Sequence, residues 1–346
     1  MADEEICAVL VTSAVPSHPS TALIAHVLGS LKKFCFCGSS SRVIVVSDGY
    51  HAVDGEKEKE SYKKGKITFE RAQAYESFRR NLDDSVAEKS PPFDIVASVV
   101  HLKSRRGFGG ALLAGVELVK TPFCLVVQHD QLLVSHFPAF KCAKAMQVDA
   151  SIKYIGAQSL TTLDYREKMI KRYDIDIGEE KCAAGDLMLT PLLLRYDKTH
   201  VCRTNELLLL LSALPHGAFP EDVLGHRQLA DIKQNGMVAF PKYGTYVLNA
   251  KRETVYHLSG RRAVARPPEM TAQRTEDACP PIEKKNGVVP GSYTSGRHKI
   301  LPLKGIAAAA EVSRQDATVT VGCKRFKGAC FHCGVKGHSQ RFCPLK

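Results

Sequence analysis

The sequence predicts an α/β fold in which helices flank a mostly parallel sheet, and three observations predict it. Residues 6–12 are continuously apolar and partly β-branched, which is typical of a strand buried on both faces. Strand-like and helical patterns then alternate as far as residue 128, as they do where crossover helices join parallel strands. The chain has 346 residues, 44% of them apolar, which is enough to form a globular core.

The pattern of the first 128 residues predicts four strands and three helices. After the first strand, Ser20 is placed to cap a helix whose apolar positions run from Leu23 to Leu31. Residues 42–47 repeat the strand pattern and end in a turn signal at Asp48 and Gly49. The other predicted elements are a helix at 68–81, a strand at 93–100, a helix at 111–118 and a strand at 122–128.

The second half of the sequence is less regular. Residues 153–158 and 187–194 have strand-like patterns, and residues 222–234 have helical periodicity that ends at Gly236. Residues 238–248 are predicted to form a strand, a turn and a second strand. No membrane span is expected, because the longest strongly apolar run covers only residues 207–211.

Composition and charge change after residue 266. Proline pairs, glycine, serine and lysine replace the apolar periodicity, so we predict a flexible linker at 267–325 between a domain at 1–266 and a small module at 326–346. From Arg261 onward the chain holds 16 Lys+Arg against 6 Asp+Glu, a balance of +10. Clustered cations attract a polyanion such as nucleic acid by releasing its counterions; a solvated basic tail is the alternative.

The cysteines favour a reducing compartment. Nine of the twelve are scattered through the chain, several of them in apolar segments, as buried thiols of cytoplasmic proteins are. The first residues are acidic and lack the order of a signal peptide. We therefore expect a cytoplasmic location, with the nucleus also compatible and a luminal enzyme separated from its anchor as the alternative.

The C-terminal residues contain a ligand set for structural zinc. Cys330, Cys333, His338 and Cys343 have the spacing Cys-x2-Cys-x4-His-x4-Cys. Three thiolates and one imidazole complete the tetrahedral coordination of Zn²⁺ and leave no open position, which predicts a metal that stabilises the fold and takes no part in catalysis. The alternative is a basic tail with unrelated cysteines.

This segment resembles the CCHC zinc knuckles of retroviral nucleocapsids and cellular RNA-binding proteins. The resemblance implies that Phe331 stacks on bases and that Lys336 and Arg341 contact the phosphates of single-stranded RNA or DNA. A role in contacting proteins is the alternative. Further candidates for these contacts are Phe342, Lys324, Arg325 and Lys327.

Four segments of residues 6–262 resemble, in order and spacing, the GT-A fold of nucleotide-sugar glycosyltransferases, especially family-two-like enzymes. They are the turn at 12–20, the strand that ends at Asp48, the glycine-containing segment 106–115 and the strand that ends in Gln128, His129 and Asp130. The resemblance implies a Rossmann-like sheet and the transfer of a sugar from a nucleotide diphosphate donor to an unknown acceptor.

The resemblance also assigns roles around the donor. It implies that Asp48 faces the nucleoside and that Asp130 and His257 hold Mn²⁺ or Mg²⁺ against the diphosphate. Gln128 occupies the position of the family's first Asp-x-Asp carboxylate, where it can coordinate through its carbonyl oxygen or contact the ribose, but it brings no charge. Arg261, with Arg262 as the alternative, would lie near the phosphates.

Glu221 and Asp222 resemble the family's Glu-Asp segment at the beginning of a helix. The resemblance implies that one of them accepts the proton of the acceptor hydroxyl, with Asp222 as the first choice and Glu221 as the alternate. Acidic residues at a helix N-terminus also interact favourably with the helix dipole, which is the alternative interpretation.

Two function classes therefore stay open. The first is a metal-dependent glycosyltransferase with a nucleic-acid-binding zinc knuckle. The second is a catalytically inactive GT-A-like scaffold that binds RNA or single-stranded DNA through its zinc module, and Gln128 favours it because an amide weakens metal binding. A gene model that joins unrelated exons would also explain the combination.

Overall fold

The computed structural model describes residues 6–36, 42–258, 326–329 and 336–337. The chain divides into two compact units, Met1–Ala265 and Arg266–Lys346. Within the second unit, Phe326–Ala329 pairs with Lys336–Gly337 as a short antiparallel ladder. The linker predicted at 267–325 lies outside the described residues, so its limits stay a prediction.

The first unit alternates strands and helices. Its strands are β1 (Ile6–Thr12), β2 (Arg42–Ser47), β3 (His51–Val53), β4 (Lys66–Thr68), β5 (Val96–His101), β6 (Phe123–Gln128), β7 (Gln131–Leu133), β8 (Tyr154–Gly156), β9 (Lys181–Ala183), β10 (Leu187–Pro191), β11 (His200–Arg203), β12 (Thr245–Leu248) and β13 (Val255–His257). Its α-helices are α1 (Ala22–Phe34), α2 (Phe69–Ala87), α3 (Gly107–Val116), α4 (Ala139–Val148), α5 (Tyr165–Tyr173), α6 (Thr204–Ser212) and α7 (His226–Asn235).

One large sheet has the strand order β5-β2-β1-β6-β11-β8-β12-β10-β9. Strands β5, β2, β1 and β6 are parallel neighbours, β11 runs antiparallel between β6 and β8, and β12 is parallel to β8. The predicted α/β class with a mostly parallel sheet is therefore confirmed. The chain moves outward from β1 to β5 and then returns to the other side of β1, so the strand order reverses between β1 and β6. Such a switch point leaves a crevice at the carboxyl ends of the strands.

Strand β1 is buried on both faces because helices cover both sides of the sheet. All seven of its residues are buried, as its apolar run predicts. On one face Ala8 and Leu10 belong to the same core as residues of α1, and on the other face Val9 and Val11 belong to a core with residues of α3 and α6. A Cβ atom on Gly115 would lie 2.4 Å from Val9 Cγ1, so α3 packs closely enough on the sheet to require glycine there.

The structure corrects the prediction for residues 238–248. A short 3₁₀ helix at Met237–Lys242 replaces the first predicted strand, and only β12 is extended. Val238 is 84% exposed, so its apolar side chain does not mark a buried strand, and Pro241 has no N–H to donate to a ladder. Among the described residues, no helix combines the length and the apolar character that crossing a membrane requires.

Candidate functional site

The carboxyl ends of β1 and β6 are joined at the switch point by His129. Its Nδ1 atom lies 2.9 Å from the Thr12 hydroxyl oxygen and 3.2 Å from the backbone nitrogen of Ser13. The backbone N–H of His129 donates to Val11 across the two strands, at 3.1 Å. These contacts hold the loop after β1 against the end of β6, which forms one wall of the crevice.

Asp130 lies two residues after the end of β6 and faces His257. The Asp130 Oδ2 atom lies 3.2 Å from His257 Nε2, and the backbone N–H of Leu258 donates to the Asp130 carbonyl at 2.7 Å. Strand β13 brings His257 there by pairing with β7, in a register that sets His257 opposite Gln131. The structure thus brings together the two side chains that the family resemblance assigns to a divalent cation.

The second carboxylate oxygen of Asp130 has no hydrogen-bond donor beside it in the described structure. Oδ1 is buried and has no hydrogen-bond partner among the residues that the structure describes. Burial raises the pKa of the Asp130 carboxyl. The hydrogen bond from His257, the charges of His129 and His257 and the residue's own backbone N–H together outweigh this effect, so the net pKa lies below its ordinary value. The carboxylate therefore stays charged at neutral pH, with one buried oxygen available to a cation.

The side chain of Gln128 points to a different part of the site. Its Nε2 atom donates to the main-chain carbonyl of Asp197, and Gln131 Nε2 lies 3.5 Å from the same oxygen. Gln131 Oε1 accepts from the backbone N–H of Thr199 at 2.6 Å. The end of β6 and the beginning of β7 are therefore each tied by a side-chain amide to the segment that leads into β11.

Asp197 and Glu221 form a reciprocal pair. The backbone N–H of Asp197 donates to Glu221 Oε2 at 3.2 Å, and the backbone N–H of Glu221 donates to Asp197 Oδ2 at 2.7 Å. Glu221 opens a π-helical turn, Glu221–Gly225, that leads into α7. The pair fixes the beginning of this turn, and with it the Glu221 side chain, to the end of β6.

Burial shifts the ionisation of both carboxyl groups. It raises the pKa of Asp197 well above its ordinary value, with a further increase from the charge of Glu221. It also raises the pKa of Glu221, although the N–H of Asp197 and the charge of Lys198 act in the opposite direction. A carboxylate with a raised pKa is a stronger proton acceptor than an exposed one, which suits Glu221 to general-base chemistry. Asp222 is the next residue and is partly buried.

Asp197 and Lys198 are absent from the residues that the sequence predicts for the site. The Lys198 Nζ atom lies 2.6 Å from Ser159 Oγ and also contacts the Thr161 hydroxyl. Burial lowers the pKa of Lys198 to about 8 despite the charges of Glu221 and Glu253. The sequence carries no specific signal for either residue, because their contacts are with residues far away in the chain.

Asp48 directly follows β2, and its carboxylate accepts hydrogen bonds from the backbone. Oδ1 accepts from the N–H groups of Gly49 at 2.9 Å and Arg106 at 2.8 Å, and Oδ2 accepts from Gly107 at 2.9 Å. The residue is 4% exposed, and burial raises the pKa of its carboxyl against the lowering effect of these bonds and of Arg105. Asp48 therefore fixes the loop before α3 and satisfies the first donors of that helix.

We expect the replacement of Asp48 by alanine to lower the free energy of unfolding by about 2–4 kcal/mol, because buried backbone donors would lose a charged acceptor. Denaturant unfolding monitored by circular dichroism measures this change. Asp84 on α2 is exposed, and its replacement by alanine should change stability by less than about 0.5 kcal/mol. Equal losses in the two variants would contradict the role of Asp48 in holding the loop.

Several predicted residues lie outside the described part of the chain. These are Arg261, the zinc ligands Cys330, Cys333, His338 and Cys343, and the nucleic-acid contacts Phe331 and Arg341, while Lys336 is described only through its backbone. Within 6–36, 42–258 and the short C-terminal ladder, no group of three or more His, Cys, Asp and Glu side chains is arranged to hold a metal ion. Asp130 and His257 would therefore supply only part of a coordination shell.

Comparison with known proteins gives matches among solved structures alone. No family model and no curated protein matches the sequence. A mannosyltransferase of Pyrobaculum calidifontis in complex with GDP-Man and Mn²⁺ is 16% identical, and the match covers 72% of this chain and 58% of that chain with a TM-score of 0.39. GalNAc-T7 with UDP, GalNAc and Mn²⁺ is 9% identical, with coverages of 78% and 46% and a TM-score of 0.42.

A third similar structure is S. aureus TarS 1-349 in complex with UDP-GlcNAc. It is 15% identical, with coverages of 78% of this chain and 62% of that chain and a TM-score of 0.37. The match to this chain thus spans between 46% and 62% of the three solved chains. At these identities and TM-scores, no residue role passes from the solved structures to this chain.

Proposed function

We propose that the first unit is a metal-dependent, GT-A-like glycosyltransferase that moves a sugar from a nucleotide diphosphate donor to an acceptor. The observation that carries the proposal is the buried Asp130 Oδ1 atom, which lacks a hydrogen-bond partner in the described structure, beside His257 at the switch point of the sheet. An unpaired, charged oxygen is costly to bury. A divalent cation would remove this cost, and carboxylate and imidazole fit Mn²⁺ or Mg²⁺ with water and phosphate oxygens as the remaining ligands.

The cation would supply positive charge where the diphosphate leaves. Asp130 and His257 would hold it, and Gln128 and Arg261 are the other residues that the sequence resemblance assigns to the donor. Asp48 would shape the nucleoside side of the crevice through the loop that it fixes.

We propose Glu221 as the general base, with Asp222 as the adjacent alternative. Its carboxylate is held by the N–H of Asp197, and burial raises its pKa. The acceptor oxygen would attack the anomeric carbon and lose its proton to Glu221, while the sugar–phosphate bond breaks and its electron pair leaves with the diphosphate. The base would then be linked to the cation site, because Glu221 connects through Asp197 to Gln128, the last residue of β6, two residues before Asp130.

Hydrolysis of a panel of nucleotide diphosphate sugars tests this proposal. We expect at least one sugar nucleotide to be cleaved by the full chain in the presence of Mn²⁺ or Mg²⁺, and the cleavage to stop when a chelator removes the cation. An absence of both turnover and nucleotide-sugar binding, together with tight RNA binding, would instead favour the inactive scaffold.

A second activity is proposed for the C-terminal module. Cys330, Cys333, His338 and Cys343 would hold Zn²⁺, with Phe331, Lys336 and Arg341 contacting single-stranded nucleic acid. The ligand spacing and the balance of +10 from Arg261 onward support this proposal. Such a protein would act in the cytoplasm or the nucleus.

Replacement of Cys333 by serine is expected to abolish the binding of one zinc ion per chain, because a structural site with three remaining ligands is incomplete. Affinity for a single-stranded oligonucleotide should fall at least about ten-fold, since zinc supplies the folding energy of so short a module. Elemental analysis and fluorescence anisotropy measure the two effects. Cys182 is exposed in the first unit, so its replacement by serine serves as the control; unchanged zinc content in the Cys333 variant would contradict the ligand set.

A further inference from the structure

Gln128 occupies the position at which the sequence resemblance leads one to expect a metal-binding carboxylate, but its amide makes a different contact. The Nε2 atom donates to the main-chain carbonyl of Asp197, 69 residues further along the chain. Gln131 Nε2 approaches the same carbonyl at the longer distance of 3.5 Å. The carbonyl is thus held mainly by Gln128.

The chemistry of this contact requires a donor. A carbonyl oxygen accepts hydrogen bonds, so an amide N–H stabilises it, whereas a carboxylate at residue 128 would place a second acceptor against it. Asp197 is 4% exposed, so water has little access to compensate for the lost bond. The amide at residue 128 is therefore suited to a contact that the family's usual aspartate could not make.

The carbonyl that Gln128 holds belongs to the residue that orients Glu221. The N–H of Asp197 donates to Glu221 Oε2, and the carboxylate of Asp197 receives the N–H of Glu221. A shift of the Asp197 backbone would move both of these bonds together, because they leave the same residue.

We propose that Gln128 is a positioning residue, which holds the Asp197 carbonyl and through it orients the Glu221 carboxylate toward the acceptor. This inference rests on the proposed function in assigning Glu221 as the base. It also explains how an uncharged residue can serve in the crevice. Gln128 would hold the base Glu221 in place, and Asp130 would supply the negative charge beside the cation.

Two nearly isosteric variants test the proposal in the full chain. Gln128→Glu replaces the donor by an acceptor, and Gln128→Met removes it without adding charge. In both variants we expect kcat to fall at least about ten-fold, with the KM for the sugar nucleotide and the affinity for Mn²⁺ unchanged within about two-fold. In Gln128→Glu the added negative charge should raise the pKa of Glu221 and move the acid limb of the kcat profile to higher pH.

Gln147 on α4 offers a matched control, because it is exposed and accepts a hydrogen bond from Lys144. Gln147→Glu should leave kcat and its pH profile unchanged. If Gln128 contacts the cation instead, Gln128→Glu should bind Mn²⁺ more tightly and retain or increase kcat, and that result would overturn the proposal.

Hydrogen exchange separates this inference from the proposed function. The amide hydrogens of Asp197 and Glu221 are both bonded within the pair, so both Gln128 variants should exchange them at least about ten-fold faster than the wild type does. Faster exchange supports the link from Gln128 to Glu221 even if the wild type shows no turnover. An absence of turnover would reject only the proposed transferase activity. Unchanged exchange in both variants would overturn the inference even if the wild type is active.

Discussion

Replacement of Asp130 by asparagine is expected to reduce sugar transfer by roughly a thousand-fold. Charge stabilisation by a catalytic metal is worth several kcal/mol, and each 1.36 kcal/mol corresponds to about a factor of ten in rate. The carboxamide keeps the shape of the side chain but loses its negative charge. It would therefore interact less favourably with His257 and bind a cation less tightly at the position of Oδ1. Steady-state rates with saturating Mn²⁺ and sugar nucleotide measure the loss.

The same variant should still fold. The lowered pKa of Asp130 shows that its partners outweigh the cost of burying its charge, so the free energy of unfolding should fall, but by less than about 1 kcal/mol, because the carboxamide keeps the shape of the side chain. Asp84→Asn on the surface of α2 is the control and should keep full activity. Retention of more than a tenth of the activity by the Asp130 variant would contradict the assignment of this carboxylate to the metal.

Replacement of Glu221 by glutamine is expected to lower kcat by roughly a hundred- to ten-thousand-fold, which is the usual contribution of a positioned general base. The KM for the sugar nucleotide should change little, because the base acts on the acceptor. The amide can still accept the N–H of Asp197, so the turn should keep its place. Rates measured with saturating donor and acceptor test the expectation.

Asp222→Asn provides the matched comparison, because it neutralises the adjacent carboxylate of the same turn. We expect it to reduce kcat less than Glu221→Gln does. A larger loss in the Asp222 variant would instead assign the proton transfer to Asp222, as the sequence resemblance first suggests.

The pH dependence follows from the raised pKa of Glu221. A general base must be ionised to accept a proton, so kcat should rise with pH as Glu221 loses its own proton. Because burial raises this pKa, the acid limb should lie above the ordinary range of a glutamate side chain. The Glu221→Gln variant should lack this limb, since no carboxyl remains to titrate.

The strands near the switch point were predictable because they are buried. Strands β1 and β2 have the predicted limits, and β6 begins one residue later than predicted, since burial on both faces leaves an uninterrupted apolar run. The helix predicted at 111–118 instead spans Gly107–Val116. Its first turn contains three glycines, whose weak helix propensity hides it, and the carboxylate of Asp48 supplies the acceptor that local sequence lacks.

The site was predictable only in part, because some of its residues act through contacts that are distant in sequence. The family resemblance selects Asp130 and His257, and the structure brings their side chains together, while their role with a cation remains our proposal. Asp197 could not be predicted, because its importance arises from contacts with Gln128 and Glu221, which are distant in sequence. A polar residue beside a strand does not reveal which distant carboxylate it will orient.

Anomalous diffraction from a crystal of the full chain soaked with Mn²⁺ and uridine diphosphate tests the central claim most directly. We predict a manganese peak at coordination distance from Asp130 Oδ1 and His257 Nε2, with the diphosphate on its open side. Well-ordered nucleotide in the crevice without manganese beside Asp130, or manganese bound only elsewhere on the chain, would contradict the metal site and the transferase built on it.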